Sequence, residues 1–339
     1  MRAWHIQEFG AEGLREANKE PAAPLRAFEV RVRIRACSLN FRDHLMRLGL
    51  YNPKQPLPLV PCSDGAGTIV EVGSAVEGFA VEDRVAGTFF RSWTAGAVPR
   101  DLHVLKQTRG GPLDGMLQEE IVLRESEVVR IPEHLSFEEA STLPCAALTA
   151  YSALFTQADL KPGDTVVLQG TGGVSVCALQ FAKAAGFRTI VTSSSEKKLE
   201  RARQLGADLT VNYRQTPAWS RFVTEHTDGG ADLVVEVGGA KTLAESLKAV
   251  RAGGQISLIG VLSGTRDELD LIPILMRNVR VQGILVGSAE SFASMNRLIA
   301  HHQLRPAVDR VFAFEEAPAA FEHLAAAHHF GKVVIRGCP

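Results

Sequence analysis

One stretch near the middle of the chain constrains the fold more than any other. The apolar run TVVLQ is followed at once by the turn GTGGVS and then by the helical pattern VCALQFAKAAG. A second apolar run, RTIVTS, comes after that helix. A strand, a glycine-rich turn, a helix and a second strand are typical of a βαβ unit with parallel strands. The sequence therefore predicts an α/β domain.

The same alternation continues through the second half of the chain. The apolar runs DLTVN, ADLVVEV, GQISLIGV and VRVQGILVG are separated by polar or helical stretches. The spacing predicts helices near residues 174–185, 197–205, 218–227 and 241–250. Continuous β-branched runs between helices indicate a parallel sheet covered on both faces. We therefore expect a doubly wound Rossmann domain over residues 129–287.

The first third has a different pattern. FEVRVRIRAC, GAGTIVEVG and DRVAGTF alternate with period two and are broken by glycine and proline, which predicts a compact β domain over residues 1–128. Ser136 followed by Glu139 is a capping box that begins a helix. The tail predicts two helices and a closing strand, KVVIR. We expect residues 288–339 to return and complete the first domain.

Composition narrows the class of protein. The 339 residues suffice for two domains, with 45% hydrophobic and 22% charged residues. A formal net charge of −1 argues against a nucleic-acid or anionic membrane surface, and no apolar run could cross a bilayer. The cysteines are scattered without paired spacing, which favours free thiols and a cytoplasmic location. They are Cys37, Cys62, Cys145, Cys177 and Cys338.

The glycine-rich turn has the features of a phosphate cradle. Backbone N–H groups at a helix N-terminus bind phosphate when no side chain stands in the way. Gly170 permits the tight turn, Gly172 admits a pyrophosphate to the main chain, and Ser175 takes the place of the usual third glycine. A plain strand-to-helix connector is the alternative. The predicted cradle comprises Gly170, Thr171, Gly172, Gly173 and Val174.

The end of the second strand indicates the cofactor. An acidic residue there binds the ribose 2′-hydroxyl of NAD, whereas hydroxyls and ammonium groups suit the 2′-phosphate of NADP. This chain has a run of hydroxyl residues that includes Ser193 and Ser194, followed by Lys197 and Lys198. A solvated first turn of helix would explain the two lysines equally simply. The pattern favours NADPH.

Several motifs together resemble the zinc-free branch of the medium-chain dehydrogenase/reductase superfamily, which contains quinone oxidoreductases and enoyl reductases. They are LNFRDHLMRLGLY, PCSDGAGTIVEVG, GTGGVS, LGAD and FGKVVI. The resemblance covers essentially the whole chain. It implies a GroES-like β domain with an inserted Rossmann domain, and an active site in the cleft between them. It also implies a homodimer formed through the last Rossmann strand.

The resemblance also bears on a metal. Zinc members carry a cysteine at the position of Asn40 and a histidine at that of Ser63, and only Cys145 matches a ligand. One thiolate cannot form the usual three-ligand site. The segment of residues 90–117 has no cysteines, which the structural zinc lobe would require. We therefore expect no zinc.

Further cofactor contacts are implied by the resemblance alone. The positions of Lys198 and Tyr213 help to hold a 2′-phosphate, and that of Thr149 packs near the nicotinamide. Four further positions match segments that line the cofactor. The last two of these positions also bound the strand that is expected to pair across a twofold axis. The four positions are Gly260, Val261, Ile284 and Val286.

Without a metal, hydride should pass to a carbon that is already electron-poor, such as a quinone or the β-carbon of an α,β-unsaturated carbonyl. The protein must then donate a hydrogen bond to the developing oxyanion. Tyr51 is the leading candidate, with a half-buried loop tyrosine as the alternative. Asn40 is expected to orient substrate or carboxamide. Asp43 is a weaker candidate, since Arg42 and Asp43 also suit a structural ion pair.

Two other functions stay open from the sequence. One is an NAD(P)-dependent alcohol dehydrogenase or carbonyl reductase, against which the missing metal ligands count. The other is a non-catalytic NADPH-binding protein.

Overall fold

A computed structural model describes residues 1–20 and 24–337, so Cys338 lies outside the described residues. The chain forms two compact units. One contains Met1–Leu148 together with the segment that begins at Val286, and the other is Thr149–Leu285. The first unit extends beyond the predicted boundary at residue 128 because strand Val128–Arg130 pairs within its sheet and the helix after it packs there too.

The first segment is mainly β-structure, as its alternating pattern predicts. Its strands are β1 (Arg2–Ile6), β2 (Leu14–Asn18), β3 (Glu29–Leu39), β4 (Asp64–Val72), β5 (Arg84–Gly87), β6 (Glu120–Arg124) and β7 (Val128–Arg130). Its helices are α1 (Phe41–Arg47), α2 (Leu102–Lys106) and α3 (Phe137–Ala140). The predicted capping box begins α3, where the Glu139 carboxylate accepts the Ser136 N–H at 2.8 Å and the Ser136 hydroxyl accepts the Glu139 N–H at 3.2 Å.

The second unit is a Rossmann domain. After the short helix α4 (Leu148–Tyr151), which has a π-helical turn on either side, strands and helices alternate. They are β8 (Thr165–Gln169), α5 (Gly173–Ala184), β9 (Arg188–Ser193), α6 (Glu196–Gln204), β10 (Leu209–Asn212), α7 (Trp219–Glu225), β11 (Ala231–Glu236), α8 (Ala240–Ala249), β12 (Val250–Leu258), α9 (Ile272–Met276) and β13 (Arg280–Gly283). The strands are parallel, in the order β10-β9-β8-β11-β12-β13.

The tail returns to the first unit. It contains α10 (Ala289–His301), β14 (Val308–Phe312), α11 (Ala317–Ala325) and β15 (Lys332–Arg336). β14 and β15 join the sheet of the first unit, whose order is β14-β15-β3-β4-β5-β7, with β6 also paired to β3. A chain that leaves a sheet and later returns to the same sheet encloses an inserted domain.

Each unit has its own hydrophobic core. In the first unit the core includes Ile34 and Val333 on neighbouring strands and Phe321 of α11. In the second unit it includes Val167, Ile190 and Val234 of adjacent parallel strands. Within residues 1–20 and 24–337, no helix is long and apolar enough to traverse a bilayer.

The last Rossmann strand is shorter than the sequence predicts. Ile284 and Val286 were expected within it, but β13 ends at Gly283. The Ile284 N–H still donates to the Leu258 carbonyl at 3.0 Å. Val286 has φ +42°, a left-handed conformation that ends an extended strand. Apolar content alone could not predict this break.

Candidate active site

The glycine-rich turn lies at the carboxyl end of β8 and leads into α5. Gly170 has φ +72°, which favours glycine, and Gly172 is the N-cap of the helix. A Cβ atom added to Gly172 would meet no protein atom within 4 Å, so the space in front of the helix is open. Thr171, Gly173 and Val174 complete this turn. An open cradle at a helix N-terminus fits a pyrophosphate.

Ser175 occupies the position of the third glycine without disrupting the turn. Its side chain is buried, and its hydroxyl donates to the Gln169 carbonyl at 2.6 Å. The helix therefore packs against the end of β8 through a hydrogen bond, and the prediction that serine fits there is confirmed.

The carboxyl ends of β9 and β10 gather the residues predicted to select the cofactor. Ser193 pairs with Asn212 in the parallel ladder, and the Tyr213 N–H donates to the Ser193 carbonyl at 3.1 Å. The Ser193 hydroxyl is buried and accepts the Ser195 N–H at 3.3 Å, so it shapes the turn. Ser194 and Lys198 are half-buried and the Tyr213 side chain is exposed.

The acidic residue nearest this strand end is bound to a neighbour. The Glu196 carboxylate forms an ion pair with Arg203 at 2.7 Å on the exposed surface of α6. Arg203 also pairs with Glu200 at 2.9 Å. These contacts pair the Glu196 carboxylate within its own helix.

A buried carboxylate braces the base of the cradle. Glu236 ends β11, which lies beside β8, where the strand order reverses and ligands bind in such sheets. One of its oxygens accepts the Gly238 and Gly239 N–H groups at 2.7 and 2.9 Å and the Thr242 hydroxyl at 2.6 Å. The other accepts the Gln169 amide at 2.7 Å, and the Ser246 hydroxyl also donates to it. The ends of β8 and β11 are thereby tied together.

Three other predicted positions also lie in the second unit. Thr149 is buried in α4, whereas Gly260 and Val261 follow β12 at the carboxyl edge of the sheet. The Val261 side chain is exposed. All three lie within the Rossmann unit, and their predicted contacts with the cofactor stay predictions.

A second polar cluster forms in the first unit where β15, β3 and β4 run side by side. The register pairs Val333 with Leu39, which places Lys332 opposite Asn40. The register on the other side pairs Ser38 with Asp64. Residues far apart in the chain are therefore brought to one end of three adjacent strands.

The contacts in this cluster are specific. The Lys332 ammonium, 3% exposed, donates to the Asn40 side-chain oxygen at 2.6 Å and to the Leu39 carbonyl at 2.8 Å. It also lies 3.6 Å from the Asp64 carboxylate. The Asn40 amide nitrogen donates to the Ser63 hydroxyl at 3.3 Å, and that hydroxyl donates to Asp64 at 2.7 Å. We call the side chains of Lys332, Asn40, Ser63 and Asp64 the Lys332–Asn40 network.

Asp43 and Arg42 support this network from α1. The buried Asp43 carboxylate accepts the Asn40 N–H at 2.8 Å and the Ser63 N–H at 3.3 Å. Arg42 lies 3.5 Å from Asp43, and its guanidinium lies 5.0 Å from the ring centroids of both Tyr51 and Phe89. The structural ion pair predicted from the sequence is present, and it connects Tyr51 with the base of Asn40.

Burial raises the pKa of Asp43 to about 6, and the nearby Asp64 carboxylate acts in the same direction. Arg42, the Asn40 N–H and Lys332 oppose this rise. A raised folded-state pKa means that the contribution of Asp43 to stability is present below its ordinary value of 3.8 and is lost as the pH rises through about 6.

We therefore expect Asp43→Asn to change the pH dependence of stability. As the pH rises from 4 to 7, the free energy of unfolding of the native protein should decrease by about 2–3 kcal/mol more than that of the variant. Urea unfolding of both proteins across this range measures the difference, because other titrating groups cancel. Parallel curves would show that Asp43 is not the responsible carboxyl.

The donor set of this cluster does not fit zinc. The positions expected from the resemblance hold an amide, a hydroxyl and the Cys145 thiol, whereas zinc sites use thiolate, imidazole or carboxylate. The Asn40 oxygen is bound by an ammonium. In the part of the chain that the structure describes, no group of three His, Cys, Asp or Glu side chains could hold a metal.

Sequence analysis missed three residues of these two sites. Lys332, Asp64 and Glu236 are all almost fully buried. Each is a charged residue at the first or last position of a strand, in KVVIR, DGAGTIVEV and ADLVVE. A charged residue at a strand end was the sequence signal that could have identified these three residues, because charged residues are rarely buried without a partner.

Comparison with known proteins gives family matches that cover parts of both units. Residues 26–133 match the alcohol dehydrogenase GroES-like domain, and residues 173–301 match the zinc-binding dehydrogenase family. A zinc-type alcohol dehydrogenase-like protein of Schizosaccharomyces pombe is 43% identical over 339 residues, covering 98% of this chain and 97% of the relative. The chain belongs to the medium-chain dehydrogenase/reductase superfamily. The protein therefore belongs to a superfamily of oxidoreductases.

Solved structures of the superfamily have the same fold. A crystal structure of an alcohol dehydrogenase-like protein from Sinorhizobium meliloti 1021 is 40% identical, with a TM-score of 0.92, and the match covers 99% of this chain and 98% of that one. An NAD-dependent alcohol dehydrogenase is 36% identical, also with a TM-score of 0.92, over the whole of both chains. The predicted fold class, a GroES-like domain with an inserted Rossmann domain, is confirmed.

Proposed function

We propose that this protein is an NADPH-dependent, zinc-independent reductase that acts on quinones or α,β-unsaturated carbonyl compounds. The observation that carries the proposal is the Lys332–Asn40 network. At the positions where zinc dehydrogenases bind their metal, this chain has an amide and a hydroxyl fixed by a buried ammonium. A hydrogen-bond donor polarises a substrate oxygen less than a metal ion does, so the hydride acceptor must itself be electron-poor.

The residues of the first unit supply hydrogen-bond donors. Bound NADPH would supply the hydride. The Asn40 amide uses one N–H for Ser63, and its second N–H has no acceptor within the described ranges. Directed at the substrate oxygen, that N–H would stabilise the enolate or hydroquinone oxyanion. The Tyr51 side chain is 52% exposed with its ring against Arg42, so its phenol is a second donor and a proton source.

The second unit supports the choice of NADPH. The open space at Gly172 accommodates a pyrophosphate, and Ser194, Lys198 and Tyr213 lie around the ends of β9 and β10. Glu196, the nearest carboxylate in the sequence, is paired with Arg203. A 2′-phosphate would therefore meet hydroxyl and ammonium groups.

Lys198→Ala is expected to weaken NADPH binding about 10-fold while changing NADH binding less than about twofold, since only NADPH carries the 2′-phosphate. Fluorescence titration with each dinucleotide gives both dissociation constants. Lys197→Ala is the matched control, because Lys197 is an exposed neighbour on the same helix turn. Equal losses for NADPH and NADH would contradict the phosphate assignment.

The alternative function is an alcohol dehydrogenase, which the names of the similar proteins favour. A panel of a quinone, an enone, an aldehyde and ethanol, each assayed with both dinucleotides, separates the two functions. We expect NADPH-dependent reduction of the quinone or the enone that survives chelator treatment, and a lower kcat for Tyr51→Phe. Ethanol oxidation that disappears with chelation would refute the proposal.

We also propose that the protein is a homodimer formed through β13. Among residues 1–20 and 24–337, this strand pairs only with β12, at the edge of the six-stranded sheet, and an unpaired strand edge readily accepts another strand. Exposed apolar side chains lie on the same segment of chain. They are Leu271, Ile272, Leu275, Met276, Val281 and Leu285, each between 37% and 75% exposed. A second copy, related by a twofold axis, would pair β13 with β13 and cover these side chains.

Leu275→Glu is expected to convert the dimer into a 36.6 kDa monomer, because it places a charge within the apolar interface. Light scattering after size-exclusion chromatography measures the mass. Leu102→Glu is the control, since Leu102 is 65% exposed in the first unit and Leu275 is 75% exposed. A native protein that is monomeric at micromolar concentration would disprove the proposed interface.

A further inference from the structure

Lys332 holds a buried positive charge next to the Asn40 amide, and it was assigned no role from the sequence. We infer that Lys332 is a positioning residue, whose ammonium fixes and polarises the Asn40 amide so that its free N–H donates to the substrate oxygen. The inference rests on the proposed function, because it explains how that function obtains a donor in place of a metal. Lys332 itself is 3% exposed, so it acts through Asn40 rather than on the substrate.

The chemistry of the contacts fixes the orientation of the amide. A lysine ammonium has three hydrogen-bond donors and no acceptor. The Asn40 atom at 2.6 Å from it must therefore be the oxygen, and the nitrogen must face Ser63. The opposite orientation would set donor against donor.

The remaining contacts make the network directional. The Ser63 hydroxyl gives its single hydrogen to Asp64 at 2.7 Å, which leaves its lone pairs for the Asn40 nitrogen. Donation thus runs from Lys332 to Asn40, then to Ser63 and then to Asp64. In such a chain each hydrogen bond polarises the next. The second Asn40 N–H is therefore both oriented and made a stronger donor.

The surroundings of the buried Lys332 ammonium provide acceptors for it. Asp64, fully buried, lies 3.6 Å from it, and the Leu39 carbonyl accepts at 2.8 Å. The positions are set by the register of β15 with β3 and of β3 with β4. The sheet therefore holds the cation rigidly against Asn40, as a side chain on a mobile loop would not be held.

Lys332→Met should lower kcat for the quinone or enone about 10- to 100-fold with a much smaller change in KM, as expected for loss of an orienting partner. The single variant leaves Asp64 buried without its cation and is expected to be less stable. Lys332→Met combined with Asp64→Asn removes both charges. We expect it to recover stability but not kcat, whereas a purely structural role predicts that both recover together.

Two further measurements separate this inference from the proposed function. Adding Lys332→Met and Asp64→Asn to the Asn40→Ala variant should lower kcat no further than Asn40→Ala alone, because Lys332 acts through Asn40. In the cofactor-free protein, the side-chain amide ¹⁵N resonance of Asn40 should shift when Lys332 and Asp64 are replaced. An unchanged resonance, or kcat losses that multiply, would overturn the inference. Absence of quinone and enone turnover in the native protein would instead overturn the proposed function.

Discussion

Replacing Gly172 by valine is expected to weaken NADPH binding about 100-fold or more while the fold stays intact. The added side chain would enter the open space in front of α5, where no protein atom lies within 4 Å of a Cβ. A pyrophosphate in the cradle needs the same space, since it must reach the backbone N–H groups. Calorimetric titration with NADPH measures the loss.

Thermal unfolding provides the control for Gly172→Val. Because no protein atom lies within 4 Å of a Cβ at Gly172, stability should change by only about 1 kcal/mol, a typical effect of a changed N-cap. Gly172→Ala should give an intermediate affinity, because its side chain is smaller. Full retention of NADPH affinity in Gly172→Val would place the cofactor elsewhere.

Glu236→Gln is expected to destabilise the second unit by about 2–3 kcal/mol. The substitution replaces one carboxylate oxygen by an NH₂ group. That group would face the Gln169 amide, which also donates, or would displace the Gly238 and Gly239 N–H groups from the other side. Urea unfolding measures the free energy, and NADPH affinity should fall as well because the base of the cradle loosens.

A charge-conserving exchange provides a control for this prediction. Glu236→Gln combined with Gln169→Glu restores a donor facing an acceptor between the two strand ends. The Val237 and Gly238 N–H groups, which lie 3.3 and 3.4 Å from the Gln169 oxygen, would then meet a carboxylate. The double variant should recover much of the lost stability. Losses that simply add would show that the two side chains do not act as a pair.

The elements of the fold could be predicted from local pattern. TVVLQ, RTIVT and KVVIR became strands β8, β9 and β15 because runs of β-branched residues suit buried strands. The Ser136–Glu139 capping box begins α3 because its two hydrogen bonds involve residues three positions apart. In contrast, Ile284 and Val286 were placed in a strand that ends at Gly283, since a single left-handed φ leaves no trace in hydropathy.

Residue type and short-range spacing in the sequence were enough to predict the two-unit architecture and the glycine-rich turn. That Asn40 and Ser63 stand at zinc-ligand positions is implied by the resemblance to the superfamily, not by spacing. Only the tertiary structure decided that Lys332 is bonded to Asn40 and that Glu236 is bonded to Gln169. Those pairs are 292 and 67 positions apart. Strand order and register bring them together, and these depend on the packing of the whole sheet.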